Sequence, residues 1–139
     1  MRILALDIGD VRLGLAMSDP LGIIASPFKV IDIKRENYMK ILKEIVEEYE
    51  IKEIVFGVPK SLDGTEKRQA EKVREFAEKL EKNFKDISFN EIDERYTSSI
   101  AKSSFIEKGY SSKDYRGKLD SVSASLILQT YLELKKNKL

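Results

Sequence analysis

Three acidic positions far apart in the chain could carry chemistry together: Asp7, the adjacent pair Asp93 and Glu94, and Asp120. Asp7 lies among Ile3, Leu4, Ala5, Leu6 and Ile8, an apolar run too short for a helix and rich in strand formers. An unpaired carboxylate in a core strand is costly, so it should be protonated, paired or bound to a cation. The plainer alternative is a turn residue whose side chain bonds nearby backbone N–H groups, since Gly9 and Asp10 follow at once. Asp93 and Glu94 close another strand, where acids also complement the dipole of a following helix. Asp120 precedes Ala124, Ile127, Tyr131 and Leu134, a spacing that turns it towards whatever the helix packs on, although Asp is also a good N-cap. Carboxylates converging within about 4–6 Å repel strongly, and a divalent cation or a raised pKa relieves them.

The absent residue types narrow the chemistry further. The chain has no histidine and no cysteine, which removes Ser-His-Asp and Cys-His catalysis, imidazole and thiolate metal sites, and disulfides. Carboxylate, hydroxyl, lysine and tyrosine chemistry remain. Hard oxygen ligands alone point to Mg²⁺ or Mn²⁺ rather than zinc.

The elements that must position these acids follow from periodicity. Residues 3–8 read as a first strand, and Leu13, Leu15 and Met17, alternating with Gly14 and Ala16, as a second returning against it. Residues 22–33 read as a third strand, with Pro27 marking an edge or a bulge. Tyr38, Ile41, Leu42, Ile45, Val46 and Tyr49 line one face of a helix. Residues 51–58 form a fourth strand after a short link, as in a crossover to a parallel neighbour. Thr65 is placed to cap a second helix whose buried face is Ala70, Val73, Phe76, Ala77 and Leu80. Residues 86–92 give a fifth strand, 97–108 a third helix ended by Gly109, and 110–118 a polar, mobile loop before a last helix beginning near Asp120.

At 139 residues the chain has room for one domain, and 35% charged with 42% hydrophobic residues describes a soluble globular protein. With a net charge of +1, any nucleic-acid contact must come from a local basic patch. No apolar run approaches a bilayer span and no leader is visible, so the expectation is a cytoplasmic protein.

The motifs carry a resemblance as well. Strands and helices in this order resemble the ribonuclease H fold. LALDIGDVRLGLAMSD, GVPKSLDGTE, DERYTS and KLDSVSASLILQTYL resemble, in order and over nearly the whole chain, the four signature blocks of the YqgF/RuvX family of pre-16S rRNA nucleases and Holliday-junction-resolvase-like proteins. The resemblance implies a mixed five-stranded α/β sheet, its first three strands antiparallel and the rest parallel, with helices on both faces. It implies a metal-dependent nuclease acting in 5′-end maturation of small-subunit ribosomal RNA. Asp7, Glu94 and Asp120 match the family's acids, and Arg12, Arg95 and Lys118 its basic positions. Val11 departs from the pattern, standing where a basic residue is expected beside Arg12.

Such a nuclease would use Asp7 as the bridging ligand of two ions about 3.5–4 Å apart, with Glu94 on one and Asp120 on the other. Arg12, Arg95, Arg116 and Lys118 would position the phosphate backbone. Three alternatives stay open: a Holliday-junction resolvase, which needs two sites in a dimer; an actin-like or sugar-kinase ATPase, for which a closing second domain has no room; and a non-catalytic RNA-binding assembly module. Whether the protein is a monomer or a homodimer is not written in the sequence.

Overall fold

The computed structural model describes residues 1–59, 67–94 and 112–137, with side chains in the last stretch from 120 to 136. Five strands form one sheet: β1 Ile3–Ile8, β2 Arg12–Ser18, β3 Ala25–Asp32, β4 Glu53–Val58 and β5 Ser88–Asp93. Their spatial order is β3-β2-β1-β4-β5. β1, β2 and β3 pair antiparallel, and β4 and β5 join parallel to β1 and to each other, as expected. The helices are α1 Tyr38–Glu48, α2 Lys67–Asn83 and α3 Ser112–Asn137.

Alternation divides the strands between two cores. Leu4, Leu6 and Ile8 of β1 join Leu13, Leu15, Ile54, Phe56 and Val58 under the apolar faces of α1 and α2. Ile3 and Ala5 point the other way and meet Ala16, Ala25, Val55 and Ile92 beneath Ala124, Ile127, Leu128 and Leu132 of α3. Helices therefore cover both faces. The faces expected for α1 and α2 are the ones buried; Asn37 caps α1 by accepting from the Lys40 N–H at 3.2 Å.

Three expectations change. β3 begins at Ala25, because residues 19–24 form a tight hairpin loop in which Asp19 Oδ1 accepts from the N–H groups of Ile23 at 2.7 Å and Ile24 at 2.8 Å. Pro27 is at an edge and at a bulge together: β3 is the edge strand, and its register against β2 shifts between Leu15 and Ala16. The last helix starts at Ser112, so residues 112–118 are helical rather than loop and Asp120 is not an N-cap. A polar run is compatible with helix as well as coil, and Gly117 costs a helix only about 1 kcal/mol. Leu134 is half-exposed instead of buried, because the packed stripe runs through Leu128 and Leu132. The Thr65 cap and the 97–108 helix with Gly109 lie outside the described residues.

α3 is pinned at its far end. Glu53 accepts from the Tyr131 hydroxyl, from Lys135 Nζ at 3.0 Å and from Asn90 Nδ2 at 3.1 Å. Gln129 accepts from the Ala25 N–H at 3.0 Å. Burial and the neighbouring Glu53 push the Tyr131 phenol up to about 12, which leaves it a donor throughout the working pH range. Among the described residues no helix is long and apolar enough to cross a membrane.

Candidate active site

Asp7 is a strand residue, not a turn residue. It pairs with Gly14 across the β1–β2 ladder, and its alternation with Ile3 and Ala5 sends its side chain to the α3 face. On β5, Ile92 packs on that face, so Glu94, two residues on, continues it, whereas Asp93 pairs with Val58, whose side chain belongs to the opposite core. Glu94 is the first residue past β5, and its side chain lies over Gly57 and hydrogen-bonds Asp7, so Glu94 rather than Asp93 meets Asp7. Asp120 reaches the same place from α3, four residues before Ala124 and seven before Ile127 on the buried stripe.

Two glycines make room for this arrangement. A Cβ on Gly14 would stand 2.2 Å from the Asp120 carbonyl oxygen, so α3 rests directly on β2 beside Asp7. A Cβ on Gly57 would stand 2.6 Å from both Cγ and Oε1 of Glu94 and 2.7 Å from Ile127 Cδ1. Both are missed when the acids alone are considered. The available signal was a glycine inside each of two core strands, which weakens a strand unless another group approaches closely there.

The convergence has an electrostatic signature. Asp7 is pushed up to about 8, first by burial, then by the Glu94 charge, by a hydrogen bond with Glu94, and by the Asp120 charge. At neutral pH the proton therefore stays largely on Asp7, between two carboxylates. Asp120 is held differently: Arg12 Nε donates to its Oδ2 at 2.7 Å, with the Arg12 side chain 63% and the Asp120 side chain 33% exposed. Arg12 opens β2 next to the turn in which the Gly9 N–H donates to the Arg12 carbonyl at 3.0 Å. Val11, where a basic residue was expected, is 44% exposed.

Of the other basic candidates, Arg95 lies outside the described residues. Arg116 and Lys118 fall on the first two turns of α3, N-terminal to Asp120, and their side chains are not described. The structure thus gathers Asp7, Glu94, Asp120 and Arg12 at the carboxyl ends of the parallel strands β1, β4 and β5, where open α/β sheets place their ligands.

These residues suit a hard divalent cation by their donor chemistry. Three carboxylates meet, and burial together with the charges of the other two raises the pKa of Asp7, a cost that a bound divalent cation would relieve. In the present side-chain arrangement, no group of three or more such ligands among the described residues is already set to hold an ion, and Asp120 is instead engaged by Arg12.

Comparison with known proteins gives a consistent picture. A family profile described as "RuvX: Holliday junction resolvase" matches residues 1–134. A relative from Fusobacterium nucleatum described as "Putative pre-16S rRNA nuclease" is 49% identical over 136 residues, 97% of this chain and 99% of that one. One from a Sulfurihydrogenibium species with the same description is 41% identical over 95% of this chain and 90% of its own. Among solved structures the chain is similar to the fowlpox virus resolvase in complex with Holliday-junction DNA (TM-score 0.58, 16% identity, 97% of this chain and 99% of that one). It is also similar to Thermus thermophilus RuvC in complex with a Holliday-junction substrate (TM-score 0.52, 12% identity, 98% and 96%). The structural matches establish the resolvase-like, ribonuclease H-type fold, and the sequence matches over nearly full length place the chain in the RuvX family.

Proposed function

We propose that this protein is a metal-dependent nuclease that hydrolyses phosphodiester bonds in the 5′-end processing of pre-16S ribosomal RNA. The observation that carries the chemistry is the meeting of Asp7 on a strand, Glu94 just past a strand end and Asp120 on a helix, with the Asp7 carboxyl pushed up by burial and by the other two acids. The names of the full-length relatives support the RNA substrate. Asp7, Glu94 and Asp120 would hold Mg²⁺ or Mn²⁺. Bound there, the cation would activate water and offset the negative charge that builds on the phosphate during in-line displacement.

The chain's own groups do the rest. To serve as a ligand Asp7 would have to be ionised. Gly14 and Gly57 hold the backbone close, so the acids need little rearrangement. Arg12, at the exposed rim, contacts a phosphate oxygen, joined by Arg95, Arg116 and Lys118, and fixes the strand without reading bases.

The test is a set of near-isosteric variants assayed on a pre-16S 5′-leader RNA and, in parallel, on a four-way DNA junction with Mn²⁺. Asp7→Asn, Glu94→Gln and Asp120→Asn should each lower cleavage by several orders of magnitude, while Asp93→Asn, facing the other core, should retain it. If all four cleave as well as the parent, the nuclease reading fails. Junction cleavage in paired nicks without RNA cleavage would replace the substrate with branched DNA, the activity named by the family description.

A further inference from the structure

We propose that Arg12 is a stand-in cation for Asp120: its guanidinium leaves that carboxylate when a divalent ion arrives and passes to the substrate's phosphate, coupling metal loading to nucleic-acid binding. The inference deepens the nuclease reading and rests on its ligand set.

Backbone contacts hold the two partners in fixed register. The Asp120 main chain lies where a Gly14 side chain would be, and Gly14 is two residues from Arg12 and directly across the ladder from Asp7. The Gly9 N–H, bonded to the Arg12 carbonyl at 3.0 Å, fixes the other side of the turn. With the two backbones so placed, an exchange of partners needs only side-chain torsions of Arg12 and Asp120. Its Nε gives a 2.7 Å hydrogen bond to Asp120 Oδ2, and its side chain is 63% exposed.

An ion pair that exposed is weak, so it restrains Asp120 without locking it. That is what an exchange requires. While the pair stands, one oxygen of the third acid is turned to the guanidinium. Once a divalent ion takes the carboxylate, Arg12 is left at the rim with the planar, multiply donating fork that suits phosphate oxygens. A lysine would keep the charge and lose the fork.

Two measurements that need no turnover test this. In calorimetric titration with Mn²⁺, Arg12→Ala should bind roughly two- to fivefold more tightly than the parent, the range an exposed ion pair sets, with Arg12→Lys between them. In fluorescence anisotropy with a short single-stranded RNA, the slope of log affinity against log KCl should be the same for parent and Arg12→Ala in EDTA. In Ca²⁺, with the RNA checked for integrity, the Arg12→Ala slope should be shallower by about one.

Equal or weaker Mn²⁺ binding by Arg12→Ala overturns the exchange. So does a slope difference of the same size in EDTA and in Ca²⁺, which would make Arg12 a permanent phosphate contact. Mn²⁺ binding by the parent that Asp120→Asn leaves unchanged would instead remove Asp120 from the ligand set and take the underlying reading with it. Circular dichroism of each variant separates these outcomes from loss of fold.

Discussion

A single carboxyl group states most of what the site is. Asp7 ionises near pH 4 in an unfolded chain, but in the folded one it holds its proton to about 8. Between those values the folded state binds more protons than the unfolded state, so the stability of metal-free protein should fall as pH rises from about 4 to about 8 and level off above. Each decade of proton affinity is worth about 1.4 kcal/mol, which makes the burden at pH 8.5 on the order of several kcal/mol at most. Asp7→Asn removes it while keeping the shape. Thermal melts in EDTA should therefore show the variant gaining on the parent from pH 5 to pH 8.5, and a constant difference across that range would mean that Asp7 ionises normally. Asp7 could be singled out from its apolar neighbours alone, since an ionisable group within a core strand needs a reason. The choice between Asp93 and Glu94 could not be made from the residues themselves, because it depends on which face Ile92 takes, a fact about the opposite helix.

At the scale of elements, α3 is where sequence reading and structure part. Its buried stripe, Ala124, Ile127 and Tyr131, is legible as helical spacing, and so is the inward turn of Asp120. Its beginning is not, because the residues of 112–118 are polar and polarity does not distinguish an exposed helix from a loop. Gly14 and Gly57 were equally hard to read, since their meaning lies in what approaches them. The two should respond differently to the same change. Gly14→Ala drives a methyl group into the backbone of Asp120, which cannot yield without lifting α3, so it should cost about 1–3 kcal/mol or more by urea melts and weaken Mn²⁺ binding as well. Gly57→Ala meets side chains, Glu94 and the tip of buried Ile127, rather than backbone, so it should cost less stability than Gly14→Ala and show itself in cleavage. Equal stability losses in the two would mean that Ile127, not Glu94, is the group displaced at Gly57.

Across the whole molecule, the two ends of the sheet do different work. One gathers acids that repel. The other satisfies its acid, Glu53, with Tyr131, Asn90 and Lys135, and so anchors α3 away from the site. Tyr131→Phe should lower stability by about 1–2 kcal/mol, as expected for a part-buried hydrogen bond to a charged acceptor, and leave Mn²⁺ affinity unchanged. A fall in Mn²⁺ affinity would show that this distant anchor sets the position of Asp120. The near-zero net charge fits this division. On the proposed function, attraction for nucleic acid would fall to a few cations near the acids, of which Arg12 is the one whose side chain is described.

The placement of Asp120 on α3 also has a consequence in time. Every strand of the sheet precedes α3 in the chain, so a polypeptide still being synthesised has Asp7 and Glu94 before it has the helix that completes the trio and covers their face of the sheet. Until that helix docks on β1, β2 and β4, the acids are joined by no third partner and Gly14 has nothing resting on it. On the proposed set of acids, a nuclease built in this order would be incompetent until α3 folds down and brings Asp120 to the other two.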